Sequence, residues 1–294
     1  MAVIATDRGY DPIALGTATE KVVVDGNRRK YVQLGRTLRF YGGTTSATEV
    51  GCNLRCKFCF SDKPVWKPGR VGRFYTPQAV FDGLDRAAQK YNTKIISASA
   101  SEGTIGKQHL MELLELVDQS EYTYVLETNG MILGTDSQYV RALKRFKNLH
   151  VRVSMKGCSS EEFHKLTGAK KSAYDLPFKA LEMLIQEGIS CNACLSVSFS
   201  DDEAINVAKR RLYELWPGLL KSLELEKIKL NANKFLDSVQ WEIDQYGNRV
   251  KPVGSYAFMN MAHKRTVLSY AKLHELPVKF RVPWHYTSVP ALEM

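Results

Sequence analysis

Three cysteines, Cys52, Cys56 and Cys59, follow one another at the spacing C-x3-C-x2-C. Cysteine thiolates are the usual ligands of iron–sulfur clusters, and three of them bind three of the four irons of a [4Fe–4S] cubane. The fourth iron then has no protein ligand, so it is open to a chelating group from outside and takes part in chemistry. The segment therefore predicts one cluster with an open iron.

A structural zinc site is the main alternative for the same cysteines. Zinc prefers four tetrahedral ligands, usually supplied as two separated pairs, and no second pair or histidine completes this segment nearby. A disulfide is disfavoured because six cysteines in 294 residues is a low density. The spacing favours the cluster over zinc.

A second cluster is a further alternative, because Cys191 and Cys194 are spaced like cluster ligands and Cys158 is a third thiol. Cys158 is expected just beyond the carboxyl end of one strand, and the other two near the amino end or middle of the next. Neighbouring parallel strands would then hold these thiols apart, and Cys191 and Cys194 would point to opposite faces of the sheet. We therefore expect a single cluster.

The composition agrees with a soluble enzyme that has one large core. The chain is 44% hydrophobic, and α/β barrels of this length commonly form one domain. No apolar run approaches the ~20 residues that cross a bilayer, and residues 1–7 lack the pattern of a secretory signal. We expect a cytoplasmic protein with no membrane partner.

The net charge of +10 favours RNA, a phosphorylated substrate or an acidic protein surface as a partner, although the scattered basic residues also suit a solvated surface.

Short β-rich segments alternate with amphipathic helices along the chain, a pattern typical of a parallel sheet. Thr76 followed by Pro77 marks the start of the first crossover helix. Strands are predicted near residues 45–49, 94–98, 122–126, 150–155, 189–198 and 227–230. Six such units predict an α/β fold with a partial (β/α)6 TIM-like barrel.

The barrel core is expected to span residues 44–234. Residues 1–43 are predicted to form an N-terminal extension with a β-hairpin, whose arms are residues 21–24 and 31–34 around the turn at Asp25 to Asn27. Residues 235–294 are predicted to form a small C-terminal extension that caps the barrel.

Polar residues follow the predicted strands where an α/β sheet binds its ligands, at the carboxyl ends. Glu102 follows the second strand, where a carboxylate would orient an ammonium group through a charge-assisted hydrogen bond. An acid at a helix N-terminus is the alternative for this residue. Thr128 and Asn129 end the third strand and are followed by a glycine, so this segment also fits a simple turn. Ser154 and Lys156 end the fourth strand.

The cysteine spacing, with Phe58 just before the last cysteine, resembles the signature of the radical S-adenosylmethionine (SAM) superfamily. The resemblance implies a [4Fe–4S] cluster on Cys52, Cys56 and Cys59, whose fourth iron is chelated by the amino and carboxylate groups of SAM. An external flavodoxin- or ferredoxin-like carrier would supply one electron. SAM cleavage would then give a 5′-deoxyadenosyl radical that takes a hydrogen atom from the substrate. The backbone of Phe58 would flank the adenine.

Two strand ends extend the resemblance. The family has a Gly-Gly-Glu-Pro-like turn near the SAM amino group; here Ala100 and Ser101 stand for the glycines and Gly103 for the proline, so Glu102 alone is retained. The Thr-Asn-Gly strand end and the later segment 164–168 are similar to glycyl-radical-enzyme activating proteins. The resemblance assigns four residues to the ribose and carboxylate of SAM: Thr128, Asn129, Ser154, which replaces an aspartate, and Lys156.

The expected function is hydrogen abstraction from a macromolecule, either a protein glycine or an RNA base. A small-molecule substrate stays open, because the C-terminal extension is long enough to cap a small pocket. A non-catalytic iron–sulfur or zinc protein is the alternative from another class.

Overall fold

The computed structural model describes residues 9–38, 40–227, 242–243 and 249–250. Its helices are α1 (Pro12–Val23), α2 (Lys63–Trp66), α3 (Pro77–Tyr91), α4 (Lys107–Asp118), α5 (Ser137–Leu143), α6 (Ser160–Thr167), α7 (Leu176–Gln186), α8 (Asp202–Leu215) and α9 (Gly218–Lys221). Its strands are β1 (Val24–Asp25), β2 (Arg28–Leu38), β3 (Thr44–Glu49), β4 (Arg73–Tyr75), β5 (Ile95–Ser99), β6 (Thr123–Thr128), β7 (Leu149–Lys156), β8 (Cys191–Ser196), β9 (Glu224–Glu226), β10 (Glu242–Ile243) and β11 (Arg249–Val250).

Nine strands form one sheet in the order β1-β2-β3-β5-β6-β7-β8-β9, with β4 also paired to β2. From β3 to β9 every neighbouring pair is parallel, and helices connect the successive strands. Within the described residues β9 does not pair with β3, so the sheet stays open. This architecture confirms the predicted partial (β/α)6 barrel.

The N-terminal hairpin differs from the prediction in its first arm. Residues 21–23 belong to the end of α1, because Asp11 caps this helix and Pro12 occupies its first position. The hairpin itself is present, with β1 pairing antiparallel to β2 and β2 antiparallel to β3. The N-terminal segment thus extends the barrel sheet on its β3 side.

The sixth parallel strand also lies earlier than predicted. It is β9, and Lys227 follows it without strand geometry, while residues 228–230 lie outside the described residues. The predicted C-terminal extension likewise lies outside them, apart from β10 and β11, which pair antiparallel. None of the helices in the described ranges is both long and apolar enough to cross a membrane.

The central strand β7 shows how the sheet divides into an apolar and a polar face. Val151, Val153 and Met155 are buried in the hydrophobic core, where α7 packs against β7 and β8. The alternate residues Arg152 and Ser154 are buried too, although they are polar. Since successive side chains of a strand point to opposite faces, the polar residues line the face away from the core.

A buried arginine joins the N-terminal hairpin to the barrel. The Arg29 side chain is fully buried, and its guanidinium donates to the backbone carbonyls of Glu102 (2.6 Å), Gly103 (3.2 Å) and Ile105. The carboxylate of Glu49, also buried, lies 3.5 Å from the same group. Strand β2 therefore fixes the loop that follows β5.

We expect Arg29→Met to lower the free energy of unfolding by about 3–5 kcal/mol, because it leaves three carbonyls without their donor and a buried carboxylate without its ion-pair partner. The matched control is Arg28→Met, which removes an exposed arginine paired with Asp25 and should cost at most about 1 kcal/mol. Urea unfolding followed by circular dichroism measures both. Equal unfolding midpoints for the two variants would contradict this role of Arg29.

Candidate active site

The cysteine loop begins where β3 ends, and a glycine shapes its first turn. Gly51 has a φ of +97°, and a Cβ there would lie 2.8 Å from Cγ2 of Thr19, so larger residues are excluded. The backbone N–H of Gly51 donates to the carbonyl of Pro64 (3.0 Å). The N–H of Cys59 donates to the carbonyl of Cys56 (3.0 Å), which closes a turn between these two cysteines.

Arg55 fixes the middle of the loop. Its backbone N–H donates to the hydroxyl oxygen of Tyr10 (2.8 Å), and its guanidinium donates to the carbonyl of Cys52 (2.6 Å). The guanidinium also lies 5.8 Å from the ring centre of Trp66, so α2 packs directly against the loop. These contacts join the loop to Tyr10 and to α2 and close the loop on itself.

The three cysteines of the loop form no disulfide, and their thiols interact electrostatically with one another. Burial raises the pKa of Cys52 to about 12, and the Glu102 carboxylate and the Cys59 thiol add to this effect. Burial also raises the pKa of Cys56, with further contributions from Cys59 and Cys52, whereas Lys156 opposes the shift. Without a bound cation, the thiols of Cys52 and Cys56 therefore keep their protons at neutral pH. Ligation to iron would remove those protons, because a metal ion stabilises the thiolate.

Three free thiols on one loop are the kind of donor set that binds three irons of a cubane. In the described part of the chain, no group of three or more His, Cys, Asp or Glu side chains is placed to hold one metal ion. A structural zinc needs four ligands around a single ion. Cluster cysteines bind different irons, so their sulfurs need not converge on one point, and three free thiols on one loop meet this requirement.

Glu102 lies beside the cysteine loop and is almost completely buried. Its Oε1 accepts hydrogen bonds from the backbone N–H (3.1 Å) and hydroxyl (2.6 Å) of Thr104 and from the hydroxyl of Thr128 (2.6 Å). Its Oε2 accepts from the backbone N–H of Asn129 (2.8 Å). The backbone N–H of Glu102 donates to the carbonyl of Gly51 (3.0 Å). Glu102 therefore ties the loop after β5 to the end of β6 and to the cysteine loop.

The Thr-Asn-Gly segment at the end of β6 is a turn whose side chains are all engaged. The Thr128 hydroxyl accepts from the N–H of Gly130 (3.0 Å), which has a φ of +76°. The Asn129 amide donates to Oδ1 of Asn53 (2.7 Å) and lies 3.8 Å from the sulfur of Cys52. The turn and the contact with the cysteine loop are thus features of the same residues.

Lys156 brings a positive charge toward the cysteines. Its ammonium donates to the hydroxyl of Ser154 (2.6 Å). Burial alone would lower the pKa of Lys156, but the Glu226 carboxylate, with the thiols of Cys56 and Cys194, raises it above its ordinary value. Lys156 therefore stays positively charged at neutral pH, which suits it to bind an anionic group of a ligand.

Arg152, which sequence reasoning missed, lies on the same face of β7. Its guanidinium donates to the Glu224 carboxylate (2.9 Å) and to the Cys194 sulfur (2.8 Å), and it lies 3.6 Å from the Glu226 carboxylate. The alternation of polar residues along β7 is the signal that would have found it. These charged groups form an inner face suited to a polar ligand.

The remaining predicted residue, Phe58, is half-buried, and its ring packs against that of Phe199 with 5.7 Å between the centres. The structure therefore joins the cysteine loop to Glu102 and Asn129 by direct bonds, and to Thr128 only through Glu102. Asn53 was also missed, because its contact with the end of β6 leaves no local pattern in the sequence.

Comparisons with known proteins agree with this architecture. A family model described as the radical SAM superfamily matches residues 48–209, more than half of the chain. None of the curated proteins matches the sequence.

Several solved structures are similar in fold. SuiB of Streptococcus suis, bound to the precursor peptide SuiA, is 15% identical with a TM-score of 0.50, and the match covers 81% of this chain and 47% of SuiB. The structure of anSMEcpe with bound AdoMet is 21% identical with a TM-score of 0.44, covering 64% and 57% of the two chains. TYW1 with a lysine-pyruvate adduct is 13% identical with a TM-score of 0.46, covering 69% and 77%. The chain spans about half the length of SuiB.

We expect Glu102→Gln to lower the free energy of unfolding by about 1–3 kcal/mol, because the amide nitrogen cannot accept the bonds that a carboxylate oxygen accepts. Glu121→Gln is the control, since Glu121 pairs with Lys94 on the surface and its loss should leave the unfolding midpoint unchanged. Thermal unfolding compares the two variants. Identical melting temperatures would show that the bonds lost at the oxygen that the amide nitrogen replaces do not stabilise the fold.

Proposed function

This chain belongs to the radical SAM superfamily, and from this premise we propose that it is an enzyme that abstracts a hydrogen atom from a protein substrate. Members of the superfamily use a [4Fe–4S] cluster and SAM. The observation that carries the proposal is the loop with three free thiols at the carboxyl end of the first parallel strand of a partial barrel.

We assign Cys52, Cys56 and Cys59 as the three cluster ligands. With a cluster and SAM bound there, the chemistry supplied would be that of a radical: one electron from the external donor would cleave SAM into methionine and a 5′-deoxyadenosyl radical, which would take a hydrogen atom from the substrate. The protein's own contribution is to hold the loop in one conformation and to keep water from the reacting groups. Arg55 and Glu102 serve the first task through their bonds to the loop.

The SAM contacts are proposals for the polar groups around the loop. Lys156, held by Ser154, provides the positive charge for the SAM carboxylate. Oε2 of Glu102 accepts one bond within the described residues, so it keeps an acceptor position for the SAM ammonium. The backbone beside Phe58 would flank the adenine. Thr128 and Asn129 are proposed to reach the ribose in addition to the bonds that they make within the protein.

A protein substrate is proposed from an analogy of fold, because the SuiB structure holds a precursor peptide. The charged inner face around Arg152 and Glu226 suits a polar group of the substrate better than an apolar one. RNA remains the second candidate, since the net charge of +10 favours a polyanion.

The electron donor is proposed to be an external flavodoxin- or ferredoxin-like protein in the cytoplasm. Exposed basic side chains follow the cysteine loop along the segment that packs against it, namely Lys63, Lys67, Arg70 and Arg73. Such a surface favours the approach of an acidic carrier near the cluster.

The test of the enzyme assignment is anaerobic reconstitution with iron and sulfide, followed by reduction with dithionite in the presence of SAM. We expect the protein to bind about four irons and to release 5′-deoxyadenosine, with a change of the electron paramagnetic resonance signal on SAM addition. Cys56→Ala should lose all three properties.

The matched control is Cys191→Ala, which removes a half-buried thiol on β8 away from the loop and should keep full activity. A colourless protein that binds zinc and leaves SAM intact would refute the assignment. SAM cleavage by Cys56→Ala at the rate of the unaltered protein would refute the role of this cysteine.

The substrate class is tested by adding an extract of the source cells, before and after desalting, to the reconstituted enzyme and measuring 5′-deoxyadenosine. We expect stimulation that survives desalting and ribonuclease but is lost after protease treatment. Loss after ribonuclease instead, with tRNA binding that weakens about 10³–10⁵-fold between 50 and 200 mM salt, would assign an RNA substrate. Loss on desalting would assign a small molecule.

A further inference from the structure

Two N–H groups converge on the sulfur of Cys52. The backbone N–H of Leu54 donates to this sulfur at 3.3 Å, and the side-chain nitrogen of Asn129 lies 3.8 Å from it. The first donor comes from the cysteine loop itself. The second comes from the end of β6, so it reaches the sulfur only because the barrel brings these two segments together.

The orientation of the Asn129 amide is fixed by its neighbours. The backbone N–H of Met131 donates to one end of the amide (3.1 Å), and because a backbone N–H only donates, that end is the oxygen. The other end is therefore the NH2 group, with two donor hydrogens. One serves Oδ1 of Asn53 (2.7 Å), which leaves the second for the Cys52 sulfur.

The surroundings hold this amide still. The Asn129 side chain is 6% exposed and that of Asn53 is fully buried, and the backbone N–H of Asn129 is bound to Glu102 (2.8 Å). Neither amide has room to turn away toward solvent. The donor thus faces the sulfur before any cofactor binds.

We infer that the Asn129 amide sets the reduction potential of the cluster through a hydrogen bond to Cys52. The inference rests on the proposed role of Cys52 as a ligand. Hydrogen bonds to the sulfurs of iron–sulfur clusters tune their potentials. A reduced cluster carries one more negative charge, so its sulfurs attract an N–H group more strongly than those of the oxidised cluster. Asn129 therefore stabilises the reduced state and makes the cluster easier to reduce.

The experiment is a redox titration of the reconstituted cluster, without SAM, followed by electron paramagnetic resonance. In Asn129→Ala we expect the ratio of reduced to oxidised cluster at a fixed potential to fall about tenfold, which for one electron is a midpoint about 59 mV more negative. Iron content and SAM cleavage by dithionite are measured in the same samples.

Two further variants separate the hydrogen bond from other effects. Asn129→Asp keeps the shape of the side chain and the bond from Met131, but its side chain has no N–H group to donate. It replaces the alanine variant if that variant loses its cluster. Asn53→Asp adds the same negative charge next to Cys52 and still accepts from Asn129. We expect a larger negative shift for Asn129→Asp than for Asn53→Asp.

The inference is overturned if Asn129→Ala binds its full iron and its midpoint matches that of the unaltered protein, or if the two aspartate variants shift equally. Those results would leave the proposed function intact, because they concern the potential of the cluster and not whether the unaltered protein binds iron and cleaves SAM. Failure of the unaltered protein to bind iron would instead refute the proposed function, which keeps the two failures distinct.

Discussion

Glu102 is the residue through which the separate parts of the site hold one another in place. Its backbone N–H binds the carbonyl of Gly51, its backbone carbonyl accepts from Arg29, and its carboxylate accepts from Thr128 and from the N–H of Asn129. A buried carboxylate is costly without partners, so these bonds must form together. The N-terminal hairpin, the cysteine loop and the end of β6 are therefore arranged before any ligand arrives.

Buried charged groups favour this one arrangement of the residues over other packings, in addition to stabilising the fold. Burial raises the pKa of Glu49, and the neighbouring Arg29 guanidinium opposes that shift. Apolar side chains would fill the same space in several ways, whereas a buried polar network has few arrangements that satisfy every donor and acceptor. The polar inner face of β7, with Arg152 bound to Glu224, extends this logic to the part of the barrel where a ligand is expected.

Local patterns in the sequence predicted most of the sheet, because alternating strands and helices with caps such as Thr76 leave a periodic signal. Local patterns failed where contacts between residues far apart in the chain determine the structure. Residues 21–23 look like a strand but continue a helix that Asp11 initiates. Strand β9 has a weak strand composition and is held by pairing with β8 and by ion pairs to Arg152. Likewise, spacing identified the cysteines, whereas the contact between Asn53 and Asn129 joins residues far apart in the chain.

The turn before Glu102 holds a residue with a Cβ in a backbone conformation that favours glycine. Ala100 has a φ of +75°, a conformation that costs a residue with a Cβ about 1 kcal/mol and that glycine adopts freely. The next residue, Ser101, donates from its hydroxyl to the carbonyl of Glu49 (2.9 Å) and so helps to hold the strained backbone. The bonds of Glu102 on both sides of the loop supply the rest of the constraint. The backbone path before Glu102 is thus held by bonds on both sides of the loop, of which those of the buried glutamate are the most numerous.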